Sequence, residues 1–297
     1  MRHRAGAMSK ISPSLKALIN ASFAHPGPTA APAAQIREAF VDIARDASRR
    51  QLGPRSWIVL SAAATFTLTS PLSLTILHDV ASSPGHHNPD PSDPVQTAEL
   101  IREVGLKCIS FNGIPRSINC LNAFHASLPA SVTARLATAP SRALSSPESL
   151  PQVRQRGRDL WKSIYRPLDE KLYRKLARSH PDLPVHILDA NYGPLLADPP
   201  RTEKQGLASV GRLLTSVVAI ASLRAQTGVG PQVLSHVYGL RKAVEDGSFR
   251  EDVVAEGDEA AEWLAGDEGN EWILRSVDRI VDVLGGGNFA AGRVAKL

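Results

Sequence analysis

Residues 210–252 read VGRLLTSVVAIASLRAQTGVGPQVLSHVYGLRKAVEDGSFRED, and this stretch decides the fold. From Leu213 to Ala225 the residues are apolar or small apart from Arg224. A helix that is hydrophobic all round belongs in a core. Gly228, Gly230 and Pro231 mark the turn that ends it. A second helix follows, with Leu234, Val237, Leu240 and Val244 on one stripe that needs a partner surface and His236 near its start. Asp246-Gly247-Ser248 then turns the chain into a third helix, expected over 249–264 and opening with Arg250, Glu251 and Asp252.

The rest of the chain carries the same period. Helical patterns fall at about 35–50, 54–69, 71–82, 95–109, 116–128, 152–179, 207–226 and 231–245. Proline-rich loops separate them at 83–94, 140–151 and 198–206. Pro184 to Leu188 has the composition of a short strand, but one isolated run makes no sheet. Aromatic residues are 5% of the 297, and Ala and Leu dominate, which favours helix over sheet. The fold class expected is all-α. Residues 1–34 form an extension with a first helix capped at Ser12-Pro13-Ser14-Leu15-Lys16, 35–264 the main domain, and 265–297 a C-terminal helix and tail.

Charge and cysteine content narrow the function. A net charge of +5 is modest for this length and does not imply nucleic acid. Residues 1–37 hold five Arg or Lys and no acid, whereas 245–271 hold eleven acids and Arg250 as the one Arg or Lys. Residues 154–178 interleave nine Arg or Lys with Trp161, Tyr165 and Tyr173, but Asp159, Asp169 and Glu170 dilute the field, and a solvated or subunit-contact face is the expectation there. Cys108 and Cys120 are too widely spaced for a CxxC pair or a zinc half-site and read as small buried side chains. No charge occurs from Ser56 to Leu77, yet the Ser and Thr residues and Pro71 break this run into two core helices, so no membrane span is expected. His86, His87, Asp90 and Asp93 share a proline-rich loop that is a poor metal cage, and no metal site is expected. Gly285-Gly286-Gly287 is a linker, since it lacks the spacing of a phosphate loop.

Residues 104–124 and 218–240 share a plan of apolar helix, Gly-to-Pro turn and second helix, which suggests duplicated half-domains about a pseudo-twofold axis. This core resembles the carboxymuconolactone decarboxylase/AhpD-like family. Gly157-Arg158-Asp159-Leu160-Trp161, His180-Pro181-Asp182-Leu183 and Tyr192-Gly193-Pro194-Leu195 look like the family's approach to the core, and Arg102 to Leu106 with Gly113-Ile114-Pro115-Arg116 resembles its other element. The resemblance covers about residues 35–260 and is greatest to the long fungal AhpD-like proteins, many of them described as conserved mitochondrial proteins. It implies an all-helical domain with a duplicated helix-turn-helix core that assembles as a homo-oligomer.

The redox branch of that family begins its second helix CxxCxxxH and carries a Glu one helix earlier. A thiolate at a helix N-terminus is stabilised by the dipole while His and Glu relay its proton. Counting back from His236, those positions here hold Val229 and Gln232, and the Glu position holds Leu213. Redox chemistry through Cys120 therefore ranks last. The decarboxylase branch needs no thiol and no cofactor: a carboxylate is held while an acid or base moves a proton. For this chemistry the candidates are His236, Glu103 and His125 as catalytic groups, with Arg116 and Arg212 binding a substrate carboxylate. If the halves pack about a twofold, Glu103 of one faces His236 of the other. The alternatives are a half-buried His236 bonded to a carbonyl, a Glu103–Lys107 pair within one helix, a helix-end contact for His125, and a scaffold that keeps the fold without the site.

The ends read as addresses. Ala295-Lys296-Leu297 matches the peroxisomal import tripeptide, with Arg293 upstream, and implies an import receptor as partner. The basic, acid-free first 37 residues read as a mitochondrial alternative.

Overall fold

A computed structural model describes residues 12–19, 21, 32–83, 91–142, 149–199, 209–252 and 256–285. Among these the regular structure is entirely helical. The α-helices are α1 (Pro13–Ile19), α2 (Ala33–Arg49), α3 (Pro54–Thr67), α4 (Pro71–Ser82), α5 (Pro94–Lys107), α6 (Ile109–Asn112), α7 (Ile114–Ser127), α8 (Ala130–Thr133), α9 (Ser149–Tyr165), α10 (Asp169–Ser179), α11 (Leu183–His186), α12 (Gly211–Gln226), α13 (Gly230–Glu245), α14 (Asp258–Ala265) and α15 (Asp267–Val283). A π-helical segment, Ile187–Leu196, follows α11, and a 3-10 turn, Ser248–Glu251, follows α13.

The two most fully buried helices form the centre. Every residue of α3 from Ser56 to Thr67 is buried, as is α12 from Gly211 to Leu223. The two helices pack on each other, with α2, α4, α5 and α15 around α3 and α13 and α15 against α12. Their small residues keep the backbones close. Thr65 and Thr67 return their hydroxyls to Ser61 O and Ala63 O, at 2.6 and 2.8 Å, so these side chains enter the core without orphaned hydroxyls. Large buried side chains such as Phe40, Phe66, Phe124, Leu74 and Ile101 fill the space between the helices, and each contributes roughly 1.5–3 kcal/mol by leaving water. No helix among the described residues is long and apolar enough to cross a membrane.

A second, smaller cluster gathers Trp161, Ile164, Tyr192 and Leu196 between α9 and the π-helical segment, with Leu172 and Leu176 of α10 against it. Its cause is a backbone contact. A Cβ on Gly157 would stand 2.6 Å from Gly193 N, and one on Gly193 would stand 2.7 Å from Val153 O. Only two glycines let α9 and the π-helical backbone meet this closely.

Several sequence expectations need correction. The 152–179 helix is two helices, because Pro167 lacks an N–H to continue α9 and restricts Arg166 before it. The run Pro184–Leu188, strand-like in composition, is helical, with Pro184 in the first turn of α11, where a missing N–H costs nothing. The third helix expected over 249–264 begins as a 3-10 turn, Ser248–Glu251, entered through left-handed Gly247 (φ 73°), and the next helix among the described residues starts at Asp258. On α13 the expected stripe turns: Leu240 is buried, Val237 and Val244 are half-buried, and Leu234 is 54% exposed. The capped first helix is present, with Ser12 Oγ accepting from Leu15 N at 3.2 Å, and none of its residues is buried.

Gly157→Ala is expected to lower unfolding stability by about 2 kcal/mol or more, read by urea titration, because the added methyl meets backbone rather than a movable side chain. Ala at Gly228, where nothing lies within 4 Å but φ is +71°, is expected to cost less.

Candidate functional site

His236 stands in the second turn of α13, one helical face away from solvent, and is 6% exposed. Phe111 and Tyr165 meet its ring edge-on at centroid distances of 6.4 and 6.0 Å. Tyr165 Oη lies 3.4 Å from His236 Nε2 and 2.9 Å from Tyr192 Oη. Trp161 closes the group, 4.3 Å from the Tyr165 ring and 5.1 Å from the Tyr192 ring. Burial pushes the imidazole down to about 4, and the Arg212 guanidinium adds to the effect. Burial likewise raises both phenols despite that nearby cation. All three groups are therefore neutral, and His236 Nδ1 is buried with no hydrogen-bond partner among the described residues.

Arg212 is as fully committed. Its Nε donates to Ser163 Oγ at 2.7 Å, Nη1 to Ser216 Oγ at 2.8 Å, and Nη2 to Ser163 O and Gly239 O at 3.1 and 2.8 Å. Desolvation pushes it down to about 10, although Asp246 and Asp252 hold it up. It ties α12 to α9 and α13 through neutral acceptors, with no carboxylate among these hydrogen-bond partners.

The remaining sequence-chosen residues lie apart. Glu103 on α5 is paired with cations. Its carboxylate is taken by Arg142, with Arg142 Nη1 at 2.9 Å, and Lys107 Nζ stands 4.0 Å away. His125 is exposed near the far end of α7, about 16 Å along the helix from Ile114. Arg116 is half-buried on α7 beside Cys120 rather than beside Arg212. Cys120 and Cys108 are both free and buried; burial pushes their thiols up to about 11 and 12, out of reach of thiolate chemistry at neutral pH. Asp93 caps α5 by accepting from Val95 N and Gln96 N, while His86, His87, Asp90 and Ala295-Lys296-Leu297 lie outside the described residues. Among the described residues, no three His, Cys, Asp or Glu side chains group as a metal site.

What the sequence did not indicate is a buried charge clasp at the N-terminus of α12. Lys107 is fully buried at the end of α5, with Nζ 2.7 Å from Asp198 and bonded also to Leu196 O. Asp198 accepts in turn from Gly211 N at 2.7 Å and from Ser209 Oγ. Asp252 takes the next two backbone donors, Arg212 N at 2.5 Å and Leu213 N at 3.3 Å. Two carboxylates thus cap one helix, and Gly211 sits between them at φ +85°, where a Cβ would press on Asp252. Their fates diverge. Asp198 is buried too, but Lys107 and the hydrogen bonds outweigh that burial and hold it down to about 2. Burial, with repulsion from Asp198, pushes Asp252 up to about 6. The clasp borders a cleft of about 360 Å³ that Arg156, Asp159, Ser163 and Thr215 also line. A sequence signal existed only for Asp252, in the Gly247-to-Asp252 turn after α13.

Comparison with protein-family models, with curated proteins and with solved structures finds no match to the chain.

The two perturbed groups act oppositely on stability. His236 titrates at about 4 when folded against 6.5 when free, so its contribution is complete above pH 6.5 and is lost as pH falls toward 4. Asp252 titrates at about 6 against 3.8, so its contribution is complete below 3.8 and is lost as pH rises through 6. Stability measured from pH 4 to 7 is expected to show this as opposite differences from wild type. His236→Gln removes a loss on acidification of roughly 3 kcal/mol, and Asp252→Asn removes a gain of similar size. In the clasp, Lys107→Met is expected to cost about 3–5 kcal/mol by leaving Asp198 buried without its cation, whereas Lys107→Met with Asp198→Asn recovers part of that.

Proposed function

We propose that this chain is an AhpD-like, carboxymuconolactone decarboxylase-like protein that has kept the duplicated helical framework without the reaction, and that it works as a scaffold or binding module. One observation carries this reading: His236, the one residue matching the family's reactive motif, is sealed in an aromatic cage as a neutral imidazole, with Arg212 spent on Ser163, Ser216 and Gly239. A proton carrier has to reach its substrate. This one lines none of the clefts around Arg50, Arg55, Arg156 or Lys242.

Support for the duplication comes from local geometry. Both α7 and α13 carry Pro as their second residue and follow a left-handed turn, Gly113 (φ 80°) in one case and Thr227-Gly228 (φ 63° and 71°) in the other. The two turns touch, with Gln226 Nε2 donating to Phe111 O and lying 3.4 Å from Asn112 Oδ1. Counting five residues on from Pro115 and Pro231 reaches Cys120 and His236, both buried. Ile114 and Ile118 on α7 and Leu234 and Tyr238 on α13 are large apolar side chains at least half exposed, which suits a second copy of the chain as partner. The peroxisome, through Ala295-Lys296-Leu297, remains the proposed address, with the mitochondrion as alternative.

A second reading has one observation in its favour. Asp252, near 6 in the 360 Å³ cleft, is poised for acid–base work on a small carboxylate or lactone, with Arg156 and Arg212 lining the same cleft. Metabolite co-purification with mass spectrometry separates the two. The scaffold reading expects any retained compound to be unaltered and its amount unchanged in His236→Ala. Turnover that survives in His236→Ala and is abolished in Asp252→Asn would replace it with the acid–base reading.

The thiols give an independent check. Titration of the native protein is expected to find both cysteines unreactive and to find them only after denaturation. Peroxide consumption is expected to be the same for wild type and Cys120→Ser. A difference between them would restore redox chemistry.

A further inference from the structure

Helix α10 stands at the edge of the molecule, packed mainly on α9 and α11. Leu172 and Leu176 turn toward the smaller cluster. Lys171, Arg174, Lys175 and Arg178 recur at the spacing of one helical stripe, and all four are exposed. Among the described residues none of the four has a carboxylate within ion-pair distance, in contrast to Arg154, Arg224, Arg250 and Arg275 elsewhere on the surface. Three acids stand nearby: Asp169, buried at the start of α10, Glu170, exposed on its flank, and Asp182, whose carboxylate lies 4.0 Å from His180.

The stripe is bordered by exposed aliphatic side chains. Leu168, one turn before Lys171, is 59% exposed, and Val185 and Leu183 beyond the other end are 44% and 36% exposed. A cationic helix face bordered by exposed aliphatic side chains is the composition of a surface that lies on an anionic bilayer. A nucleic-acid face would offer aromatic rings for base stacking, and the one aromatic residue on α10, Tyr173, is half-buried.

We propose that α10 and the α10–α11 corner dock on an anionic lipid bilayer. Lys171, Arg174, Lys175 and Arg178 pair with headgroup phosphates and carboxylates, and Leu168, Leu183 and Val185 enter the boundary between headgroups and acyl chains. The helix lies flat, since about 16 Å of length and a charged face suit the surface and not a crossing. This surface is separate from His236 and the α12 clasp, so it stands or falls independently of the reading above.

The experiment is flotation of the full chain with phosphatidylcholine vesicles, with and without phosphatidylserine. Wild type is expected to float only with the anionic vesicles and to be released by added salt. Lys171→Gln with Lys175→Gln is expected to lower the partition coefficient by roughly 25-fold, about five-fold for each charge. Lys171→Arg with Lys175→Arg is expected to float as wild type does, and Leu168→Ser to weaken binding several-fold without changing its salt dependence. Circular dichroism and melting of each variant, at these exposed positions, are expected to match wild type. Equal flotation with both vesicle types, flotation with neither, or undiminished binding by the Gln pair overturns the proposal. So does capture of a single-stranded RNA oligonucleotide by this stripe while anionic vesicles are ignored.

Discussion

The contact on which the site depends is the buried ion pair between Lys107 and Asp198. An ammonium group with no exposure is tolerated only where a carboxylate and a carbonyl replace its water. That requirement fixes the end of α5 against the chain leaving the π-helical segment, and Asp198 then fixes Gly211 and the start of α12. Because α12 is buried along nearly all its length, its N-terminal donors have no water, and Asp198 and Asp252 stand in for it. The position of Arg212, and through it the packing of α9 on α13, follows from where those two carboxylates hold the first turn.

Burial on this scale explains why the chain's titratable groups are quiet where chemistry was expected. The same desolvation holds His236, Tyr165, Tyr192, Cys108 and Cys120 in their neutral forms. Arg212 remains a cation through a ring of neutral oxygens. Asp252 is the exception, because helix donors favour its charge while burial and Asp198 oppose it, leaving it near 6.

The uncharged run from Ser56 to Leu77 and the apolar run from Leu213 to Leu223 were legible as core helices, since a helix with no polar face has nowhere else to go. Pro71 was legible as the boundary between two helices, Pro115 as part of the turn before a helix, and both cysteines as buried. The partners of charged residues were not legible. Glu103 and Arg142 are 39 positions apart and Lys107 and Asp198 are 91 apart, and nothing local in sequence signals either pairing. Pro167 marks the break between α9 and α10, and the single helix expected over 152–179 ran past it. Placing Glu103 opposite His236 relied on a symmetry that relates backbones and says nothing of which side chain is free.

The π-helical segment has a further implication. Its winding places Tyr192 against Tyr165 while Gly193 meets Gly157, two demands that fall on adjacent residues and point into the same crowded interface. A segment wound i→i+5 is an α-helix carrying extra residues, and it persists only where the surroundings hold it. Removing one residue between Ile187 and Leu196 would let it relax to α-helix and rotate both contacts away together. Chain length there is therefore constrained more tightly than residue identity, so relatives of this protein would vary in sequence across the segment long before they varied in its length.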